Sequence, residues 1–182
     1  MENKTSLFGF KALLRQYNII LFLKGAFLPF IISVVVLLFT LRFSTSSILE
    51  LIELVVDLIV TIIPSLLGFV LGGYAILIGI SNIAIVSVKI DSNLTLYQKI
   101  STVFSISLIM QLFLLVFAFI VKFVLKSNVP VYSTILADSI NYITLILLFF
   151  GFVYVNIMIK DLVINIFNLS QYQNFKANQK QK

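Results

Sequence analysis

Residues 62–88 read IIPSLLGFVLGGYAILIGISNIAIVSV and contain no charged side chain. A bilayer core about 30 Å thick needs about 20 helical residues to cross it, so this stretch is long enough to span a membrane. Three further apolar runs, at 18–41, 100–125 and 139–159, meet that length with at most one formal charge in each. Because backbone polar groups in lipid must pair within their own segment, each run is predicted to be a helix. The sequence therefore predicts an all-α integral membrane protein with four transmembrane helices.

The composition leaves little chain outside these spans. Of the 182 residues, 60% are hydrophobic and 11% are charged, whereas a soluble domain averages about 25% charged residues. Residues 1–182 are therefore predicted to form a single transmembrane domain. The last segment, 170–182, is rich in Gln and Lys and is predicted to be a disordered basic tail.

The chemistry needed by most enzymes is missing from the sequence. Cysteine and histidine are absent, which removes thiolate nucleophiles, the usual zinc ligands and histidine acid–base catalysis. No serine lies in a nucleophile-elbow context, and the glycines at 68–79 follow no strand that could form a phosphate-binding loop. The sequence predicts neither an enzyme nor a cofactor-binding protein.

The formal net charge of +6 is distributed as expected for a membrane protein with both termini in the cytoplasm. With four alternating spans, 10 cations fall on the cytoplasmic side and 3 on the outer side. The cytoplasmic cations are Lys4, Lys11, Arg15, Lys24, Lys89, Lys99, Lys160, Lys176, Lys180 and Lys182. This bias follows the positive-inside rule and predicts attraction to an anionic inner leaflet, not direct nucleic-acid binding.

The N-terminal segment 5–17 is predicted to be an amphipathic helix on the membrane surface. Its apolar residues recur at spacings of three and four, and its cations occupy the opposite face. The apolar residues are Leu7, Phe10, Leu14 and Tyr17. The membrane-surface cations are Lys4, Lys11 and Arg15, followed by Lys24, which can extend from the first span to the head groups. The helix is interpreted as an interfacial anchor or as a docking element for a partner.

A stripe of small and polar residues follows the second span at spacings of 3,4,3,4,3. Its members, here called the small-residue stripe, are Ser65, Gly68, Gly72, Ala75, Gly79 and Asn82. Small residues let helix backbones approach closely in lipid. The stripe therefore predicts a packing surface, within one subunit or between subunits, or else a surface that faces a pore.

Three carboxylates precede that span and share one helix face. This acidic face consists of Glu50, Glu53 and Asp57, at positions i, i+3 and i+7. The segment that carries it is predicted to be an outer-leaflet helix before the second span, or part of one long helix kinked at Pro64. In an oligomer, one such face per subunit would form rings of negative charge at a pore mouth. A solvated face of an interfacial helix is the other interpretation.

The third span carries Gln111 near its middle, with Ser107 one turn away. An amide at that depth needs a hydrogen-bonding partner. Gln111 is therefore predicted to face another helix or water, as a contact between helices or as part of a permeation or ligand site.

The span count, the chain length and the glycine-rich stretch from Pro64 to Gly79 resemble small membrane components of bacterial anti-phage defence systems, in particular the membrane subunit of the Kiwa system. The resemblance implies a homo-oligomeric sensor or effector in the bacterial inner membrane, with a cytoplasmic partner protein. A four-span immunity protein against a pore-forming bacteriocin has the same size and class.

Two functional hypotheses follow. In the first, the chain is a homo-oligomeric bacterial inner-membrane protein that acts as a sensor or pore in phage defence. In the second, it is a non-conducting membrane scaffold or an immunity-type binder.

Overall fold

The computed structural model describes residues 9–17, 19–79, 95–127 and 134–179, and five α-helices make up nearly all of them. In chain order these are α1 (Phe10–Gln16), α2 (Ile19–Phe43), α3 (Ile48–Gly79), α4 (Leu96–Lys126) and α5 (Thr134–Gln179). The prediction of an all-α membrane protein is confirmed.

Helices α2 to α5 are each long and apolar enough to cross a bilayer. The candidate spans are Phe22–Phe43, Ile48–Gly79, Leu96–Lys126 and Ile135–Tyr172. At 1.5 Å per residue, the 31 residues of α4 extend over about 46 Å, more than the hydrocarbon core of about 30 Å. The protein is therefore a multi-pass membrane protein whose helices reach the head-group region.

Helix α3 is continuous from Ile48 to Gly79, with Pro64 inside it. Of the two interpretations of this segment, the structure has the single long helix. Buried residues on both sides of the proline, among them Ile59, Ile63 and Val70, hold the two halves in one core. This packing outweighs the hydrogen bond that Pro64 cannot donate. Residues 80–88, the remainder of the predicted second span, lie outside the described residues.

Helix α5 differs from its prediction at both ends. It begins at Thr134 and continues to Gln179, so the predicted span 139–159 is too short and the predicted disorder over 170–182 is wrong as far as Gln179. The reason is continued packing: Leu162 and Leu169 are buried, and Ile166 and Tyr172 pack against the same cluster. These four residues continue the helical spacing of apolar side chains as far as Tyr172, into the start of the predicted tail.

Helices α3, α4 and α5 form the core. One cluster joins Val56, Ile63, Leu114 and Leu148, among others, and a second joins Val70, Phe104 and Leu162. Because lipid tails are as apolar as these side chains, the bundle is stabilised by close packing between helices and not by removal of apolar surface from water.

Helix α2 packs against α5 through aromatic side chains. The ring centroids of Phe22 and Tyr154 lie 5.4 Å apart, and those of Phe30 and Phe150 lie 6.2 Å apart, both edge to face. Such pairs add about 0.5–1.5 kcal/mol beyond simple contact. Since Phe22 contacts Tyr154 and the later residue Phe30 contacts the earlier residue Phe150, the two helices run antiparallel.

Helix α1 lies against α4. Ala12 is buried there, whereas Phe10 and Leu14 are exposed. Two members of the predicted apolar face thus point away from the bundle, as expected where a helix meets lipid, whereas Tyr17 is half-buried and packs against Phe22. Lys4 and Leu7 lie outside the described residues.

Candidate functional site: the exposed face of α3

The small-residue stripe lies on the side of α3 that faces away from the subunit. Its described members, Ser65, Gly68, Gly72, Ala75 and Gly79, are all exposed. At about 100° per residue, they lie opposite the buried Ile63, Val70 and Leu77. The described members of the stripe therefore make no packing surface within the subunit, and the predictions of a contact between subunits or of a pore surface stay open. Asn82 lies outside the described residues.

The glycines of the stripe border open space. A Cβ atom built at Gly68, Gly72 or Gly79 would meet no atom of the described residues within 4 Å. A larger side chain would therefore fit at these three positions without a clash in the described part of the subunit. Each glycine in a helix interior costs about 1 kcal/mol relative to alanine, and no packing contact among the described residues requires one here.

Two other glycines serve packing within the subunit. A Cβ at Gly73 would lie 3.1 Å from Phe104 Cε1, and one at Gly151 would lie 2.8 Å from Leu114 Cδ1. Gly73 follows the stripe member Gly72 in the chain but faces α4. The sequence alone does not identify Gly151 as a packing position, because a lone glycine in an apolar run carries no spacing signal.

The acidic face begins at the first turn of α3. Glu50 and Ser47 form a capping box: Ser47 N donates to Glu50 Oε2 at 3.0 Å, and Glu50 N donates to Ser47 Oγ at 3.3 Å. This arrangement satisfies two backbone donors at the helix start. Glu50 therefore has a structural role that its sequence position alone did not reveal.

The other two carboxylates are paired with lysines from α4. Lys122 Nζ donates to Asp57 Oδ1 at 2.8 Å, and Lys126 Nζ donates to Glu53 Oε1 at 2.8 Å. The four side chains remain between 41% and 68% exposed. The three acids and two lysines together carry a formal charge of −1, so the face is much less negative than the acids alone would make it.

The acidic face and the small-residue stripe occupy nearly the same side of α3. Glu50, Asp57 and the exposed Thr61 lead by helical spacing into Ser65 and Gly68. The polar and small residues thus form one exposed surface along the 32 residues of α3, about 48 Å in length. We call it the exposed face of α3; it is polar at one end and glycine-rich at the other.

Gln111 is completely buried on the core side of α4. Its Nε2 donates to Ser107 Oγ at 3.2 Å, on the same helix, and its Oε1 has no partner among the described residues. The described residues thus supply no hydrogen bond from Gln111 to another helix. The amide is a buried polar group that is half satisfied.

The charges separate between the two ends of the bundle. Among the side chains that the structure describes, those at the basic end include five cations and Asp161, a net charge of +4. These cations are Lys11, Arg15, Lys24, Lys99 and Lys160. The acidic end carries Arg42, Lys122 and Lys126 with four carboxylates, a net charge of −1. The predicted surface cations Lys11, Arg15 and Lys24 are exposed.

Within the described ranges, no group of three His, Cys, Asp or Glu side chains is placed to hold a metal ion. Comparison of the chain with protein-family models, with curated proteins and with solved structures gave no match. Functional inference therefore depends on the geometry of the chain itself.

Proposed function

We propose that this chain is a homo-oligomeric bacterial inner-membrane protein that assembles through the exposed face of α3 and acts as a membrane sensor or pore. One observation carries the proposal: Gly68, Gly72 and Gly79 lie on the outside of the subunit with open space around them. In lipid, such a surface lets a second helix approach closely and gives the van der Waals contact that drives association. The spacing of three and four residues suits a contact that follows the whole helix.

Assembly through this surface would bring the acidic faces of neighbouring subunits close together. The glycines would lie at the contacts between α3 helices, and Glu50, Glu53 and Asp57 would lie near the mouth of the ring. A ring of carboxylates concentrates cations and disfavours anions. This supports a cation pathway as the conducting form of the proposal.

A cytoplasmic partner is the second part of the proposal. Helix α5 has 46 residues and extends over about 69 Å, far more than one bilayer crossing needs. Its end, with exposed Phe167 and Phe175, would project from the basic end into the cytoplasm. The resemblance to Kiwa-type membrane components brings phage defence into the proposal as the setting for such a partner.

The alternative is a non-conducting scaffold or immunity-type binder. The ion pairs Lys122–Asp57 and Lys126–Glu53 favour it, because they neutralise two of the three carboxylates within each subunit. Ion flux through the purified protein in liposomes separates the two functions. Flux supports the pore, whereas silence in both resting and triggered conditions supports the scaffold.

Assembly is tested by the double substitution Gly68→Leu and Gly72→Leu. The new side chains clash with nothing in the subunit, so the fold should persist while close approach of a second α3 is blocked. We expect a smaller particle by native mass spectrometry in nanodiscs. Gly25→Leu on α2 is the matched control, since a Cβ there also meets no atom within 4 Å. An unchanged particle mass in the double variant would overturn the proposed interface.

A further inference from the structure

A polar groove of about 370 Å³ lies between α1 and α4 at the basic end of the bundle. Tyr74, near the end of α3, closes one side. Of its ten described lining residues, seven carry a hydroxyl or amide side chain and none carries a charge. Its volume lies in the range of small-molecule sites, about 300–1,000 Å³, but the walls are far more polar than those of a site for an acyl chain.

Two hydrogen bonds between helices shape the groove. The Thr102 hydroxyl lies 2.9 Å from Gln16 Oε1 on α1 and 2.8 Å from the carbonyl oxygen of Gln98 on its own helix, so its single proton is shared between the two and the first contact ties α1 to α4. The hydroxyls of Tyr74 and Ser101 lie 3.0 Å apart, which ties α3 to α4. The groove is thus a built feature of the fold, held on two sides by side chains of its own lining.

Other polar groups of the lining keep their hydrogen-bonding capacity. Within the described part of the chain, the hydroxyls of Tyr97 and Ser105 and the Nε2 group of Gln16 make no hydrogen bond. Both Tyr97 and Ser105 are half-buried. Together they offer donors and acceptors to a ligand that is itself rich in hydroxyl groups.

Helix length places the groove near the level of the lipid head groups. Helix α4 is about 16 Å longer than the hydrocarbon core, so about 8 Å extends beyond the core at each end when the helix is centred in the bilayer. Tyrosines such as Tyr74 and Tyr97 are typical of this level of a membrane protein. At this level of the membrane, a lipid head group is the most abundant polar ligand.

The net positive charge of the basic end selects the sign of that head group. Lys11 on α1 and Lys99 on α4 lie at the same end of the bundle as the groove but are not among its lining residues. Neither α1 nor α4 contains an acidic residue. Cations at a membrane surface attract anionic lipids, each by about 1 kcal/mol.

From these observations we infer that the groove binds the head group of an anionic phospholipid that carries free hydroxyls, of the phosphatidylglycerol type. The cations of the basic end attract the anionic head group to this surface, and Tyr97, Ser105 and Gln16 bind the glycerol hydroxyls inside the groove. The inference does not rest on assembly through α3. The Gly68→Leu and Gly72→Leu variant should bind the lipid normally.

The test is competition between phosphatidylglycerol and phosphatidylserine. The full-length protein is extracted from vesicles with equal amounts of the two lipids in phosphatidylcholine, and its bound lipids are measured by native mass spectrometry. Both lipids carry the same net charge, so charge alone predicts equal retention. We expect preferential retention of phosphatidylglycerol.

Variants assign that preference to the groove. Tyr97→Phe with Ser105→Ala removes two hydroxyls and leaves the Thr102–Gln16 and Tyr74–Ser101 contacts intact. The preference should fall roughly tenfold, the combined effect of two typical hydrogen bonds. Tyr142→Phe on α5, at the other end of the bundle, is the matched control and should retain it.

Three outcomes would overturn the inference. Equal retention of the two lipids by the wild type would leave only charge attraction. An unchanged preference in the Tyr97→Phe, Ser105→Ala variant would place the selectivity elsewhere. Saturable binding of free glycerol phosphate, without retention of phosphatidylglycerol, would make the ligand a soluble molecule and not a lipid.

Discussion

Asp57 of α3 and Lys122 of α4 form an ion pair in which Lys122 Nζ lies 2.8 Å from Asp57 Oδ1. One turn closer to the acidic end, Lys126 and Glu53 form a second pair of the same length. The step from Lys122 to Lys126 is four residues forward on α4, and the step between their partners is four residues backward on α3. Both pairs are therefore consistent with a single antiparallel register of the two helices. The two lysines thus link the end of α4 to the start of the exposed face of α3.

Exchange of the two charges of the Asp57–Lys122 pair should be tolerated, whereas reversal of only one of the charges should destabilise the protein. Asp57→Lys places two cations together and should lower the melting temperature in detergent, and adding Lys122→Asp should restore it. Because both side chains are about half exposed, Asp57→Asn should cost less than about 1 kcal/mol. Failure of the double variant to recover stability would show that the pair does not hold the register.

Neutralising the acidic face should alter ion selectivity if the oligomer conducts. Glu50→Gln, Glu53→Gln and Asp57→Asn together leave Lys122 and Lys126 unpaired, so the local charge changes from −1 to +2 per subunit. Cation preference in liposome flux should fall and can reverse. The effect should shrink at high salt, since the Debye length falls from about 10 Å at 0.1 M to about 3 Å at 1 M.

The control for this prediction neutralises the two lysines as well. With all five side chains neutral, the selectivity should lie between that of the wild type and that of the triple variant. Selectivity that stays at the wild-type value in the triple variant, with flux present, would mean that the acidic face is a solvated surface.

The existence of the four spans was predictable because it depends on local properties of the chain. Apolar length and the need to satisfy backbone groups in lipid lie within each segment, and residues 62–88 carry that signal without any neighbour. The amphipathic character of α1 and the separation of charges between the two ends were predictable for the same reason. None of these features requires knowledge of which helices touch.

Contacts between helices were not predictable from one sequence. The sequence placed Lys122 and the acids on the same side of the membrane, but only the register of α3 on α4 joins Lys122 to Asp57. Likewise, Gly72 and Gly73 are adjacent in the chain, yet one faces outward and the other faces Phe104. Adjacent helical residues point about 100° apart, so one of the two glycines faces outward and the other faces a neighbouring helix. Packing of α3 against the core determines which glycine has which orientation.

Substitution of Gly151 should be tolerated less well as the new side chain becomes larger. A Cβ there would lie 2.8 Å from Leu114 Cδ1, the flexible end of a buried side chain. Gly151→Ala should therefore cost little, whereas Gly151→Leu should destabilise the protein by about 1–3 kcal/mol through overpacking. Thermal unfolding in detergent measures both. Leu114→Ala should rescue much of the Gly151→Leu loss, and the absence of any rescue would argue against a direct contact.

Gln111→Leu should leave the stability unchanged or increase it. Among the described residues, Gln111 Oε1 is buried without a hydrogen-bond partner. Replacing the side chain by an apolar group of similar size therefore removes a polar atom whose desolvation is not compensated by a hydrogen bond. Ser107 loses its contact with Gln111 Nε2, but a helical serine can donate to the carbonyl four residues earlier instead. Gln111→Asn is the matched comparison: it keeps the amide and shortens the side chain, and should destabilise. Melting temperatures in nanodiscs measure both variants. A clear loss of stability in Gln111→Leu would mean that Oε1 accepts a hydrogen bond in the assembled protein, from water or from a second subunit.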